Sequence, residues 1–237
     1  MNAGGSAIDR LKDGARRAVR ALLDPVVALL ARMGVEPDHV TWFGLLVTCA
    51  GGACFAAGRF RLGALVALVG CLMDTLDGGL ARAKNGVTRW GAFLDSTTDR
   101  IADAALFLGV AAHYAQHPLS LLRDEDRLTD LLLGPPAATA LVRDGAAEAM
   151  FYALLALLAM AAALLVSYTR ARMEGVGVEC RAGWFERPER LVVLLGAALF
   201  GAASPVMPWA LAALVVLSSF TVAQRVAYAR SRLSGSA

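Results

Sequence analysis

Residues 149–166 read AMFYALLALLAMAAALLV, eighteen apolar or aromatic side chains without a single charge. About 20 such residues, wound as a helix, cover the roughly 30 Å hydrocarbon layer of a bilayer. Working outward from this run, comparable stretches place membrane spans at 40–57, 61–82, 91–114, 149–171, 189–204 and 207–228. The whole chain agrees, with 57% apolar and 18% charged residues and a mean hydropathy of +0.56. Soluble domains sit near 45–50% apolar and about 25% charged, so a water-soluble globule is excluded. A net charge of +3 with no basic stripe excludes a nucleic-acid partner. Cys49, Cys54, Cys71 and Cys180 form no C-x-x-C pair, and three lie in apolar runs, where they read as small hydrophobes.

The expected fold class is an all-α polytopic membrane protein with six transmembrane helices and an N-terminal amphipathic surface helix. Three segments follow: an amphipathic juxtamembrane helix at 1–36, a transmembrane domain at 37–232 and a tail at 233–237. In the leader, Ile8, Leu11, Ala15, Val19, Leu22 and Leu23 recur at helical spacing among basic residues, the pattern of a helix lying along a membrane surface. Early charges rule out a signal peptide. With the N-terminus inside, 18 of the 23 Lys and Arg residues fall on the inner side. The rule that inner loops are the basic ones then makes both termini cytoplasmic, in a multi-pass cell membrane protein. One long connection, 115–148, is expected outside; it is acidic and carries Pro118, Pro135 and Pro136.

The chemistry concentrates in residues 74–99. Asp74 and Asp77 are three apart, Asp95 and Asp99 four apart, so each pair shares a helix face. A turn around Asn85-Gly86 would bring the pairs together. Four carboxylates near a bilayer repel one another and are costly, unless hard divalent cations with oxygen ligands and substrate phosphates relieve them. Gly78, Gly79 and Gly91 leave backbone room for a phosphate or nucleotide, and Arg82 is placed to neutralise a diphosphate. Salt bridges to Arg82, Lys84, Arg89 and Arg100 would explain one pair, not the regular set.

The pattern D-x-x-D-G-x-x-A-R-x8-G-x3-D-x3-D is met in full by Asp74, Asp77, Gly78, Ala81, Arg82, Gly91, Asp95 and Asp99. It resembles the signature of the CDP-alcohol phosphotransferases, six-span membrane enzymes of phospholipid synthesis. The resemblance implies that Asp74, Asp77, Asp95 and Asp99 hold magnesium or manganese, two ions in all, with Asp99 also the general base. It implies that Gly78, Arg82 and Thr88 contact the CDP part of a CDP-diacylglycerol donor. The segment Pro37-Asp38-His39-Val40-Thr41 resembles the one that closes over the cytidine in this family.

Acceptor choice is expected in a second basic cluster. Ser167-Tyr168-Thr169-Arg170-Ala171-Arg172 ends the fourth span and Glu186-Arg187-Pro188-Glu189-Arg190 begins the fifth. These segments, with Asp95-Ser96-Thr97-Thr98-Asp99-Arg100, resemble the phosphatidylinositol phosphate synthase branch of the family. The resemblance implies that Arg170, Arg190 and Arg230 bind the phosphate of a phosphorylated alcohol, inositol 1-phosphate (1D-myo-inositol 3-phosphate). The expected product is phosphatidylinositol phosphate, with CMP released, and the enzyme is expected to be a homodimer. Glycerol 3-phosphate, as in a phosphatidylglycerol phosphate synthase, or a free alcohol such as inositol or serine remains an alternative acceptor. A divalent-cation transporter would use the four acids but give Arg82 and the second cluster no role.

Overall fold

The computed structural model describes residues 7–84, 86, 88–123, 136–180, 182–202 and 204–234. These form seven helices and no strand: α1 (Ala7–Arg32), α2 (Pro37–Ala56), α3 (Phe60–Ala83), α4 (Arg89–Arg123), α5 (Pro136–Gly175), α6 (Arg187–Leu199) and α7 (Val206–Leu233). Proline marks several of the starts. Pro37 and Pro136 open α2 and α5 and Pro188 sits in the first turn of α6, where a missing N–H costs nothing and the fixed φ is already helical.

Four helices are long and apolar enough to cross a membrane: α2, α3, Asp144–Gly175 of α5, and α7. The α5 stretch has a mean hydropathy of 2.5, the highest of the four. Helices α4 and α6 stand outside that group. The first carries Asp95, Asp99, Arg100 and Asp103 in its N-terminal half, and the second has 13 residues, about 20 Å at 1.5 Å per residue. The expected outer connection at 115–148 is largely helical instead: α4 runs on to Arg123 and α5 begins at Pro136. Alanine-rich sequence between 136 and 149 extends the helix past the apolar run. Residues 124–135, and Asn85 of the expected turn, lie outside the described residues.

Two compact units divide the chain, one of residues 1–47 and 69–99, the other of 48–68 and 100–237. In the first unit the N-terminal helix packs on α3: a Cβ at Gly79 would lie 3.0 Å from Val27 Cγ2. Along α1, the large apolar side chains Val19, Leu22, Val26 and Leu29 are exposed. The Lys84 ammonium donates to the Val35 carbonyl at 2.7 Å, tying the end of α3 to the α1–α2 turn.

In the second unit α7 packs along α5 and α6. Small side chains of α5 (Ala153, Ala156, Ala159 and Ala163) are buried, as are Leu211, Leu214, Ser218 and Thr221 of α7. Leu154, Leu158 and Leu165, with Val216 and Phe220, are exposed. Large residues outside and small ones between helices suit a lipid surround, where close helix contact supplies the stability that water would otherwise drive. The closest contact joins α2 and α4: a Cβ on Gly52 would collide with the Ala105 carbonyl oxygen, and one on Gly109 with the carbonyl of Gly52.

Because backbone rather than a side-chain tip blocks the space at Gly52, Gly52→Val is expected to cost about 3 kcal/mol, the upper end for overpacking. Gly196, with nothing within 4 Å of its would-be Cβ, is expected to accept alanine with a gain of up to about 1 kcal/mol from helix propensity. Thermal unfolding in detergent compares the two; an unchanged melting temperature for Gly52→Val would refute this packing.

Candidate functional site

Two helices of the first unit carry the acids, and folding brings them together. Asp74 on α3 and Asp95 and Asp99 on α4 each offer a carboxylate oxygen within 4.8 Å of the others. Asp95 is exposed, while Asp74 and Asp99 are half-buried. Asp77 stands apart from that trio. Its side chain is 5% exposed, it lies near enough to feel the charges of Asp74 and Asp95, and it accepts a hydrogen bond from Thr41 Oγ1 at 2.5 Å. Thr41 is itself buried in the second turn of α2. Its hydroxyl also lies 3.2 Å from the Pro37 carbonyl. With one proton to give, the shorter, charge-assisted bond to the carboxylate is the stronger.

This donor set suits a hard divalent cation. Clustered carboxylate oxygens match magnesium or manganese, and among the described residues no cysteine or histidine joins them to favour zinc or copper. A cation held by these carboxylates would relieve the repulsion among them.

The remaining residues expected around the donor are in the same unit. Arg82 is exposed in the last turn of α3, and a Cβ at Gly78 would lie 3.5 Å from its Nη1. Arg82 thus lies over Gly78 at ordinary contact distance. Gly79 and Gly91 have other reasons to be glycine. The first faces Val27 of α1; the second donates its N–H to Thr88 Oγ1 at 2.9 Å, and a Cβ there would lie 3.2 Å from that same oxygen. Thr88 thus caps the N-terminus of α4 and fixes where Asp95 and Asp99 emerge. Pro37, Asp38, His39 and Val40 form the first turn of α2. Asp38 Oδ2 accepts from Trp90 Nε1 at 2.9 Å, and His39 is exposed.

The second unit holds the basic cluster, with membership different from that expected. Arg170 is half-exposed and pairs with Glu174 at 3.0 Å and Glu186 at 3.6 Å. The same Glu186 oxygen lies 3.6 Å from Arg225 Nη2. Arg225 is 2% exposed and donates through Nε to the Ala182 carbonyl at 3.1 Å and through Nη1 to that of Val166. Arg190, equally buried, pairs with Asp103 at 3.0 Å, and Arg187 meets the other oxygen of Asp103 at 3.2 Å. Glu186 opens α6, its N–H bonded to Glu189 Oε2 at 2.9 Å. Gly183, at φ +98°, lays the preceding loop against Thr221 and Arg225, where a Cβ would lie 2.8 Å from Thr221 Cγ2.

Arg170 and Arg190 are thus joined by Arg187 and Arg225, whereas Arg230 is exposed on α7 and enters none of the described ion pairs of the cluster. Sequence reasoning did not single out Arg225, and it passed over Thr41 as a ligand support and Asp103 altogether. Only the spacing of Asp103, four residues after Asp99, could have singled it out.

Three comparisons bear on this arrangement. The chain is 33% identical over 222 residues to the archaetidylinositol phosphate synthase of Methanothermobacter thermautotrophicus, covering 92% of this chain and 93% of that protein. It is 32% identical over 218 residues to the phosphatidylinositol phosphate synthase of Mycobacteroides abscessus, covering 89% and 84%. The crystal structure of the Mycobacterium tuberculosis phosphatidylinositol phosphate synthase with CDP-DAG bound matches with a TM-score of 0.68 at 31% identity, over 86% of this chain and 92% of that one. The same enzyme in complex with manganese and citrate matches with a TM-score of 0.67 at 29% identity, over 86% and 87%. A family model described as CDP-alcohol phosphatidyltransferase covers residues 35–222, the stretch that contains the four aspartates and Arg190. The chain belongs to the CDP-alcohol phosphatidyltransferase family.

Proposed function

We propose that this protein is a membrane transferase that moves a phosphatidyl group from CDP-diacylglycerol to inositol 1-phosphate (1D-myo-inositol 3-phosphate), forming phosphatidylinositol phosphate and CMP. The observation that carries the chemistry is the convergence of Asp74, Asp95 and Asp99 within 4.8 Å. The acceptor is supported by the two relatives, whose names differ in the lipid group and share inositol phosphate, and by a cluster of four arginines suited to an anionic phosphate.

Asp74, Asp77, Asp95 and Asp99 would hold divalent magnesium or manganese, two ions. When bound, these supply charge neutralisation of the diphosphate and of the departing CMP. The chain's own residues do the rest. Arg82, folded across Gly78, neutralises the phosphate side of the donor. The first turn of α2, Pro37 to Val40, borders the cytidine, with Asp38 held by Trp90 and Thr88 fixing the start of α4. Asp99 accepts the proton of the attacking hydroxyl as the bond to phosphorus forms. Thr41, by fixing the buried carboxylate of Asp77, keeps one ligand in a single orientation. In the other cluster Arg170, Arg187, Arg190 and Arg225 bind the acceptor phosphate; Arg225 takes the role that the sequence suggested for Arg230.

The membrane arrangement has the same support. Helices α5 and α7 both end in arginines, Arg170 and Arg172 in one, Arg230 and Arg232 in the other. If basic ends lie inside, the chain must return outward between them, which makes α6 a crossing. By the same reasoning α4 links the inner end of α3 to the outer end of α5, giving six spans with both termini in the cytoplasm. The exposed stripe of Val19, Leu22, Val26 and Leu29 suits an α1 laid on the membrane surface. We expect a homodimer.

Release of CMP by the purified protein with CDP-diacylglycerol and magnesium, offered inositol phosphate, glycerol 3-phosphate, inositol or serine singly, tests the reading. Turnover with inositol phosphate alone is expected; turnover with another acceptor would leave the aspartates their role and overturn the assignment of the arginines. No CMP with any acceptor would refute the transferase. For the ligand support, Thr41→Val is expected to weaken manganese binding about 10–100-fold, as loss of a hydrogen bond behind a ligand usually does. Unchanged affinity in a titration would refute that role.

A further inference from the structure

Arg190 is one of two arginines of the second cluster that are almost wholly buried. It is 2% exposed, and a guanidinium so far from water needs a partner for its charge. Asp103 supplies one, but not exclusively. Its Oδ2 takes Arg190 Nη2 at 3.0 Å while its Oδ1 takes Arg187 Nε at 3.2 Å. One carboxylate, itself 5% exposed, therefore touches both guanidiniums, one through each oxygen. Arg190 also retains a buried Nε–H that has no hydrogen-bond partner among the described residues. A buried cation with an unused donor is prepared for an anion, and a freely rotating guanidinium could not hold that state. The bond from Nη2 to Asp103 holds it, while the other oxygen of Asp103 holds Arg187 beside it.

We propose that Asp103 is a positioning residue for the acceptor: it orients Arg187 and Arg190 as a rigid cationic pair that receives the phosphate of the incoming alcohol. Asp103 does not touch that phosphate, which its own charge would repel. It sets the direction of the guanidiniums that do. This rests on the reading of the arginine cluster as the acceptor site.

The full-length enzyme in lipid nanodiscs tests the proposal, with wild type, Asp103→Asn, Asp103→Glu and Arg190→Ala compared. Asp103→Asn leaves one oxygen acceptor and no charge. Its KM for inositol phosphate is expected to rise at least about tenfold, as loss of one partner of a buried charge pair does, while KM for CDP-diacylglycerol changes little. Asp103→Glu keeps the carboxylate and is expected to show a smaller rise. Inorganic phosphate supplies a readout without turnover: it should raise the melting temperature of wild type, at a midpoint concentration shifted upward in Asp103→Asn. A purely structural role would move both Michaelis constants, or neither, and leave the phosphate midpoint in place; either result overturns the proposal. Should Asp103→Asn not fold, Asp103→Glu carries the same comparison with the same two outcomes. Arg190→Ala separates the levels. If it raises the acceptor KM and the Asp103 variants do not, only the positioning role fails. If it leaves the acceptor KM unchanged, the acceptor site itself is misassigned and the role falls with it.

Discussion

Three carboxylates held within 4.8 Å of one another are the constraint from which the rest follows. At an effective dielectric of about 20, two unit charges at that separation repel by about 3 kcal/mol. A fourth acid, Asp77, is buried beside them. A chain spends stability on such an arrangement only if something positive relieves it. The surrounding structure keeps the acids from moving apart: Thr88 fixes the start of α4, Thr41 holds Asp77, and Lys84 ties the end of α3 to the turn before α2. Each is a short polar bond near the end of an apolar helix, where backbone groups are still free to be capped.

The basic cluster solves the opposite problem with the same economy. Arginines brought close together would repel, and here two carboxylates are each shared between a pair of them. Asp103 bridges Arg187 and Arg190, and Glu186 bridges Arg170 and Arg225. Sharing holds the guanidiniums of each pair side by side. The contrast in distance is informative: Asp103 grips at 3.0 and 3.2 Å inside the protein, whereas Glu186 sits at 3.6 Å from both partners and is part-exposed. A phosphate displaces a loose, hydrated carboxylate far more readily than a buried one.

How much of this the sequence could reveal depended on whether the signal was local. The paired aspartates were legible because spacings of three and four put side chains on one helix face, whatever the tertiary structure. The apolar stretches were legible by length. The extent of α5 was not: proline and acidic residues suggested a loop at 115–148, but Pro136 starts a helix rather than ending one, and alanines continue it. Gly79 and Gly91 looked like room for a ligand, and only the packing of Val27 and the capping of Thr88 gave them other work. Thr41 lies 36 residues from Asp77, and Asp103 lies 87 from Arg190. No periodicity announces such pairs. Arg225 shows the same limit, since a basic residue near the end of a span reads as an anchor until its guanidinium is seen buried against backbone carbonyls.

The central claim is that α3 and α4 together form a divalent-cation site. Titration of manganese into the purified full-length protein, followed by the electron paramagnetic resonance of the free ion, tests it directly, with Asp95→Asn as the comparison. The account predicts saturable binding by wild type and an affinity at least about tenfold lower for the variant, with both equally helical by circular dichroism. Equal binding by the two, or none by wild type, would contradict it.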